Sequence, residues 1–136
     1  MPEAVAIAHR DSRTVLAFDF GLKRIGVAVG EAELGTAHPL QAVSDFSHIE
    51  KLIKEWKPTH LVVGLPTSTQ GAAHAMTRHA EVFARRLEKR FKLPVARVDE
   101  RYTSVEAESL LKGSKRKNID SVAAQLILEQ YFDEAS

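Results

Sequence analysis

Apolar positions along this chain alternate in some stretches and recur at helical spacing in others, so the elements can be read in order. VLAFDF (15–20) and RIGVAVG (24–30) are β-rich runs joined by a short turn around Gly21, the pattern of a hairpin. A weaker third strand is expected within LGTAHPLQAV, where Pro39 places it toward a sheet edge. SDFSHIEKLIKEW offers Ser44 or Asp45 as a cap, with Ile49, Leu52, Ile53 and Trp56 at helical spacing. HLVVGLP is a continuous apolar run closed by Gly-Leu-Pro, as a buried parallel strand is. A long helix from about Ala72 to Phe91 stops before Pro94, and PVARVDE supplies a fifth strand. TSVEAESLLK predicts a short helix, with Glu106 in capping-box position relative to Thr103. NIDSVAAQLILEQYF predicts the last helix.

The order β-β-β-α-β-α-β-α-α describes a hairpin sheet extended by two βα units. Right-handed crossovers make strands one, four and five parallel and put helices on both faces. The expected class is therefore α/β, with a five-stranded mixed sheet. There is no internal repeat. At 136 residues the chain has the size of one domain, expected over 14–136, with 1–13 as a flexible tail.

Composition changes this picture only in places. Cysteine is absent, which rules out disulfides and thiolate metal sites and suits a cytoplasmic location. No apolar run approaches ~20 residues, so no membrane partner is expected. The N-terminal MPEAVAIAHRDSR lacks the basic start and long apolar stretch of a signal peptide. The net charge of +1 conceals an uneven distribution. Basic residues gather in RRLEKRFK (85–92), which reads as a solvated helix end, and in KGSKRK (112–117). The second cluster lies between two apolar-periodic segments and suits a phosphate backbone.

Three carboxylates stand at element ends. Val15, Ala17 and Asp19 share one face of the first strand by its period of two. Glu100, preceded by Asp99, ends the fifth strand, and Asp99 is the reserve if Glu100 faces away. Asp120 opens the last helix, on the row of Ala124, Ile127 and Tyr131; the polar stripe expected there is Ser121, Gln125, Glu129 and Asp133. In an open sheet the C-terminal ends of parallel strands form the ligand-binding edge. Acids converging there raise one another's pKa unless a cation lies among them. Oxygen ligands without His or Cys favour Mg²⁺ or Mn²⁺, and two such ions ~4 Å apart activate water and stabilise the leaving oxygen of a phosphodiester. Lys23, Arg24, Arg101 and Arg116 lie within a few residues of these acids and are expected to position phosphates.

Other short motifs lead elsewhere and stop. DFG (19–21 with its preceding neighbours read as FDFG) invites a kinase reading, but no Gly-rich loop or HRD loop accompanies it. GLPTSTQG (64–71) lacks the GK[ST] of a P-loop, although its amides and hydroxyls suit a phosphate at a helix N-terminus. A nucleotide-binding actin-like half would need a second half to enclose ATP. The six histidines show no metal-ligand spacing.

FDFGLKRIGVAVG, VVGLPTSTQG, DERYTSVEAE and NIDSVAAQLILEQYF, in this order, resemble the YqgF (RuvX) family of bacterial proteins over about Val15 to Phe132. The resemblance implies a ribonuclease H-like fold akin to the RuvC resolvases. It also implies a cytoplasmic nuclease that processes the 5′ end of pre-16S rRNA, older descriptions giving a Holliday-junction resolvase. The family's acids fall on Asp19, Glu100 and Asp120. The loop after GLP often carries Asn or Asp in the family, whereas Thr67, Ser68, Thr69 and Gln70 stand here. The expected protein is a Mg²⁺- or Mn²⁺-dependent two-ion endonuclease, with structured RNA and a pre-ribosomal particle as partners. Its rivals are a resolvase of branched DNA and a non-catalytic nucleic-acid-binding module.

Overall fold

The computed structural model describes residues 13–66, 71–100 and 121–135, with side chains from all of these except 71–74 and 135. The expected tail up to residue 12, the loop at 67–70, the helix at 103–112, the basic cluster at 112–117, Arg101, Arg116 and Asp120 lie outside the described residues. Arg13, placed in the tail from sequence, is already tied down: its amide donates to Glu33 Oε1 and its carbonyl accepts from Ala32.

Strands β1 (Thr14–Asp19), β2 (Ile25–Glu31) and β3 (Thr36–Val43) form an antiparallel meander. Helix α1 (Phe46–Trp56), β4 (His60–Pro66), helix α2 (Gly71–Phe91), β5 (Val95–Glu100) and helix α3 (Val122–Ala135) follow. The sheet order is β3-β2-β1-β4-β5, with β1, β4 and β5 mutually parallel. Pro39 thus lies on an edge strand, where a missing N–H costs no ladder bond.

Local chemistry sets the boundaries. Asp45, not Ser44, caps α1: its Oδ1 accepts from the His48 amide at 3.1 Å. Lys57, left-handed at φ 49°, closes the helix by donating to the Ile53 carbonyl, and Pro58 follows. Gly21 turns the β1–β2 connection where a β-carbon would press on the Arg24 carbonyl.

Both faces of the sheet are covered. Leu16, Phe18, Val27, Leu61 and Val63 pack with Ile49 of α1 and with Phe83, Ala84 and Leu87 of α2. The opposite face sets Val15, Ala17, Ala28, Val62 and Val98 against Ala124, Ile127, Leu128 and Phe132 of α3. Strand alternation divides each strand between the two cores. Asp19 therefore continues the face that α3 covers.

Candidate active site

Asp19 and Glu100 end β1 and β5, on either side of β4. The register fixes their levels. Phe18 lies beside Val63, so Asp19 comes level with Gly64; Gly64 lies beside Val98, two residues before Glu100. Val98 belongs to the α3-side core, and the period of two returns Glu100 to that same face. Asp99 takes the other face and is exposed. The reserve candidate is thereby set aside, and Glu100 is the acid that shares a face with Asp19.

Gly64 makes the meeting possible. A β-carbon there would collide with Ile127 Cδ1 and lie 3.1 Å from Glu100 Cγ. The bare backbone of the intervening strand therefore leaves a cradle over which the Glu100 side chain lies, toward the Asp19 side. Both carboxyl groups are half-buried. Burial pushes Asp19 up to about 6. Burial, and then the charge of Asp19, push Glu100 up to about 7. The shared face places the two acids at one edge of the sheet, near enough for the Asp19 charge to act on Glu100.

Two further residues brace this edge, and sequence patterning missed both. The β2–β3 register shifts between Ile25 and Val27, and the Val27 amide there donates to Ser121 Oγ at 2.9 Å. Ser121 is fully buried, which corrects its expected place on a solvent-facing stripe; Gln125 and Glu129 are half-buried and only Asp133 is exposed. A hydroxyl that captures a displaced strand amide belongs inside, whatever the helical wheel suggests. Val27 pairs with Phe18, the neighbour of Asp19, so the residue that follows Asp120 in sequence is anchored one strand from the first acid. Gln130, also buried, donates from Nε2 to the Asp99 carbonyl at 2.8 Å and holds the end of β5 against α3. A lone Ser or Gln on a helix carries no signal of such a distant partner.

Lys23 and Arg24 are exposed on the turn that follows Asp19, next to Leu22, which is 71% exposed. The structure thus brings together Asp19 and Glu100 and sets two expected phosphate-binding residues just beyond the first. Among the described residues no group of three His, Cys, Asp or Glu side chains forms a metal site. Oxygen donors at two corners of a half-buried cradle suit a hard divalent cation, and a third acid would have to come from outside the described residues.

A family model described as "RuvX: Holliday junction resolvase" matches residues 13–134. A protein of Neisseria meningitidis (strain FAM18), named "Putative pre-16S rRNA nuclease", is 53% identical, with 88% of this chain and 87% of that one covered. One of the same name from Nitrosospira multiformis is 47% identical, with 98% and 97% covered. Among solved structures, Thermus thermophilus RuvC in complex with a Holliday junction substrate superposes with a TM-score of 0.60 at 14% identity, covering 90% of this chain and 95% of that one. The likeness to RuvC supports the ribonuclease H-like fold expected from the strand order. Sheet order, paired acids and the family match agree: the chain belongs to the RuvX family.

Proposed function

We propose that this protein is a divalent-metal-dependent endonuclease that cleaves phosphodiester bonds of structured RNA, with the 5′ end of precursor 16S rRNA as its substrate in the cytoplasm. The observation that carries the reading is the pairing of Asp19 and Glu100. Two carboxyl groups are held together and half-buried at the C-terminal edge of parallel strands, at a cost to their ionisation that a cation would remove. The names of the relatives support the substrate class.

The residues fit Mg²⁺ or Mn²⁺. Asp19 and Glu100 would hold it, with Asp120 as the third ligand and the donor for a second ion. A bound cation supplies Lewis acidity toward phosphate oxygen and water. The remaining work falls to the chain. Gly64 keeps the cradle open, and Gln130 and Ser121 fix the elements that carry the acids. Lys23 and Arg24, joined by Arg101 and Arg116, bind flanking phosphates and offset charge that builds on the phosphoryl oxygens.

The test sets precursor 16S rRNA beside a four-way DNA junction, each with Mn²⁺ and with chelator. The expected outcome is metal-dependent cleavage of the RNA, lost in Asp19→Asn while circular dichroism shows the fold retained. Preferential cutting of the junction would transfer the same chemistry to branched DNA. Full activity in Asp19→Asn, or in chelator, would refute the assignment.

A further inference from the structure

On the sheet face opposite the acids, α1 and α2 enclose an open groove of about 710 Å³. Phe46 and Glu50 of α1 form one lip, and Val82, Arg85, Arg86, Lys89 and Arg90 of α2 form the other. Only Glu81 and Glu88 are acidic on α2. Arg97 of β5 engages both, at 3.0 Å and 2.7 Å, which draws them toward the sheet and away from the groove. Glu50 pairs with Arg90 at 2.8 Å, and Arg85 reaches Glu81 only at 3.7 Å with its side chain 68% exposed. The groove therefore has a surplus of positive charge. Its floor is partly apolar. Val82 is 64% exposed, and exposed Arg86 sets its guanidinium 3.9 Å from the centre of the Phe46 ring, a cation–aromatic pair of the kind on which a base can stack.

The basic side of the groove runs back along α2 toward the end of β1 that carries Asp19. Exposed Arg78 extends the cationic row toward the start of α2, and its neighbour His79 stacks on Phe20, the residue after Asp19, with ring centres 6.4 Å apart. From Arg78 to Arg90 the helix rises ~18 Å, about five nucleotides of one strand. We propose that the α1–α2 groove is a second nucleic-acid site, which holds the phosphate backbone of the substrate strand after it leaves the catalytic edge. This extends the nuclease reading and rests on it for the identity of the polyanion. A second copy of the chain is the weaker occupant, because an isologous contact would set this basic wall against itself.

The test uses the full chain and its Arg85→Ala/Lys89→Ala variant, neither residue having a part in the acid pair. Fluorescence anisotropy with a labelled 30-nucleotide stem-loop RNA, titrated with KCl, reads the number of phosphate contacts. The variant is expected to bind about 10- to 50-fold more weakly near 0.1 M salt, with a slope of log affinity against log salt smaller by roughly 1.5. Cleavage at saturating RNA should keep its kcat while KM rises. A folded variant with unchanged affinity and slope would overturn the proposal. So would loss of a dimer in sedimentation with the RNA slope unmoved, which would make the groove a contact between copies. Wild-type protein that shows the groove-dependent slope but never cuts would instead defeat the nuclease reading and leave the groove assigned.

Discussion

Asp19 sits in conflict with its own fold. Its carboxyl is held at about 6 and that of Glu100 at about 7, both above their ordinary values of 3.8 and 4.5. Between pH 4 and 7 the metal-free native state therefore binds more protons than the unfolded chain. Stability from this pair is greatest below pH 4, falls as pH rises through 6 and 7, and is level beyond. Asp19→Asn removes one charge without changing shape. In chelator at pH 8 it should raise the unfolding free energy by about 1–2 kcal/mol. At pH 3, where the carboxyl is protonated in the native and the unfolded chain alike, the gain should vanish. Urea denaturation at the two pH values measures it, and an equal gain at both would place the cause outside ionisation.

Elements meet at Gly64, where β4 leaves room for Ile127 of α3 and for Glu100 of β5. Gly64→Ala should destabilise the protein by about 1–3 kcal/mol through overpacking and weaken Mn²⁺ binding through displacement of Glu100. Adding Ile127→Val removes the colliding methyl, so stability should recover in part while Mn²⁺ affinity stays low. Chemical denaturation and calorimetry on the pair separate the two effects. The strands and helices themselves were legible because apolar spacing switches cleanly between periods. The face of Asp19 followed from the alternation of VLAFDF, ending on a core side. The choice between Asp99 and Glu100 did not, since adjacent strand residues take opposite faces and only register reveals which one α3 covers. Ser121 was misplaced because its partner, the Val27 amide, lies 94 residues away, and such a contact leaves no trace in helical periodicity. The basic run at 85–92 read as a solvated surface; its groove exists only through Phe46 and Glu50 of another helix.

At the scale of the whole molecule, a cation held as proposed would link its binding to folding. Mn²⁺ bound at Asp19 and Glu100 would need both carboxylates ionised, so its stabilising effect should be small at pH 5, grow through pH 6 to 7 and level off by pH 8. Thermal unfolding with and without Mn²⁺ across that range checks it, and a shift independent of pH would point to binding elsewhere. The linkage also has a direction along the chain. β1 arises early in synthesis and α3 late, yet the bond from Val27 to Ser121 joins their neighbourhoods. A ribosome adding ~5–20 residues each second must deliver α3 before the early acid has its cover. The β1 face that carries Asp19 thus gains its apolar cover only when α3 has been made, so the burial that lifts this carboxyl belongs to the finished chain and not to its first half.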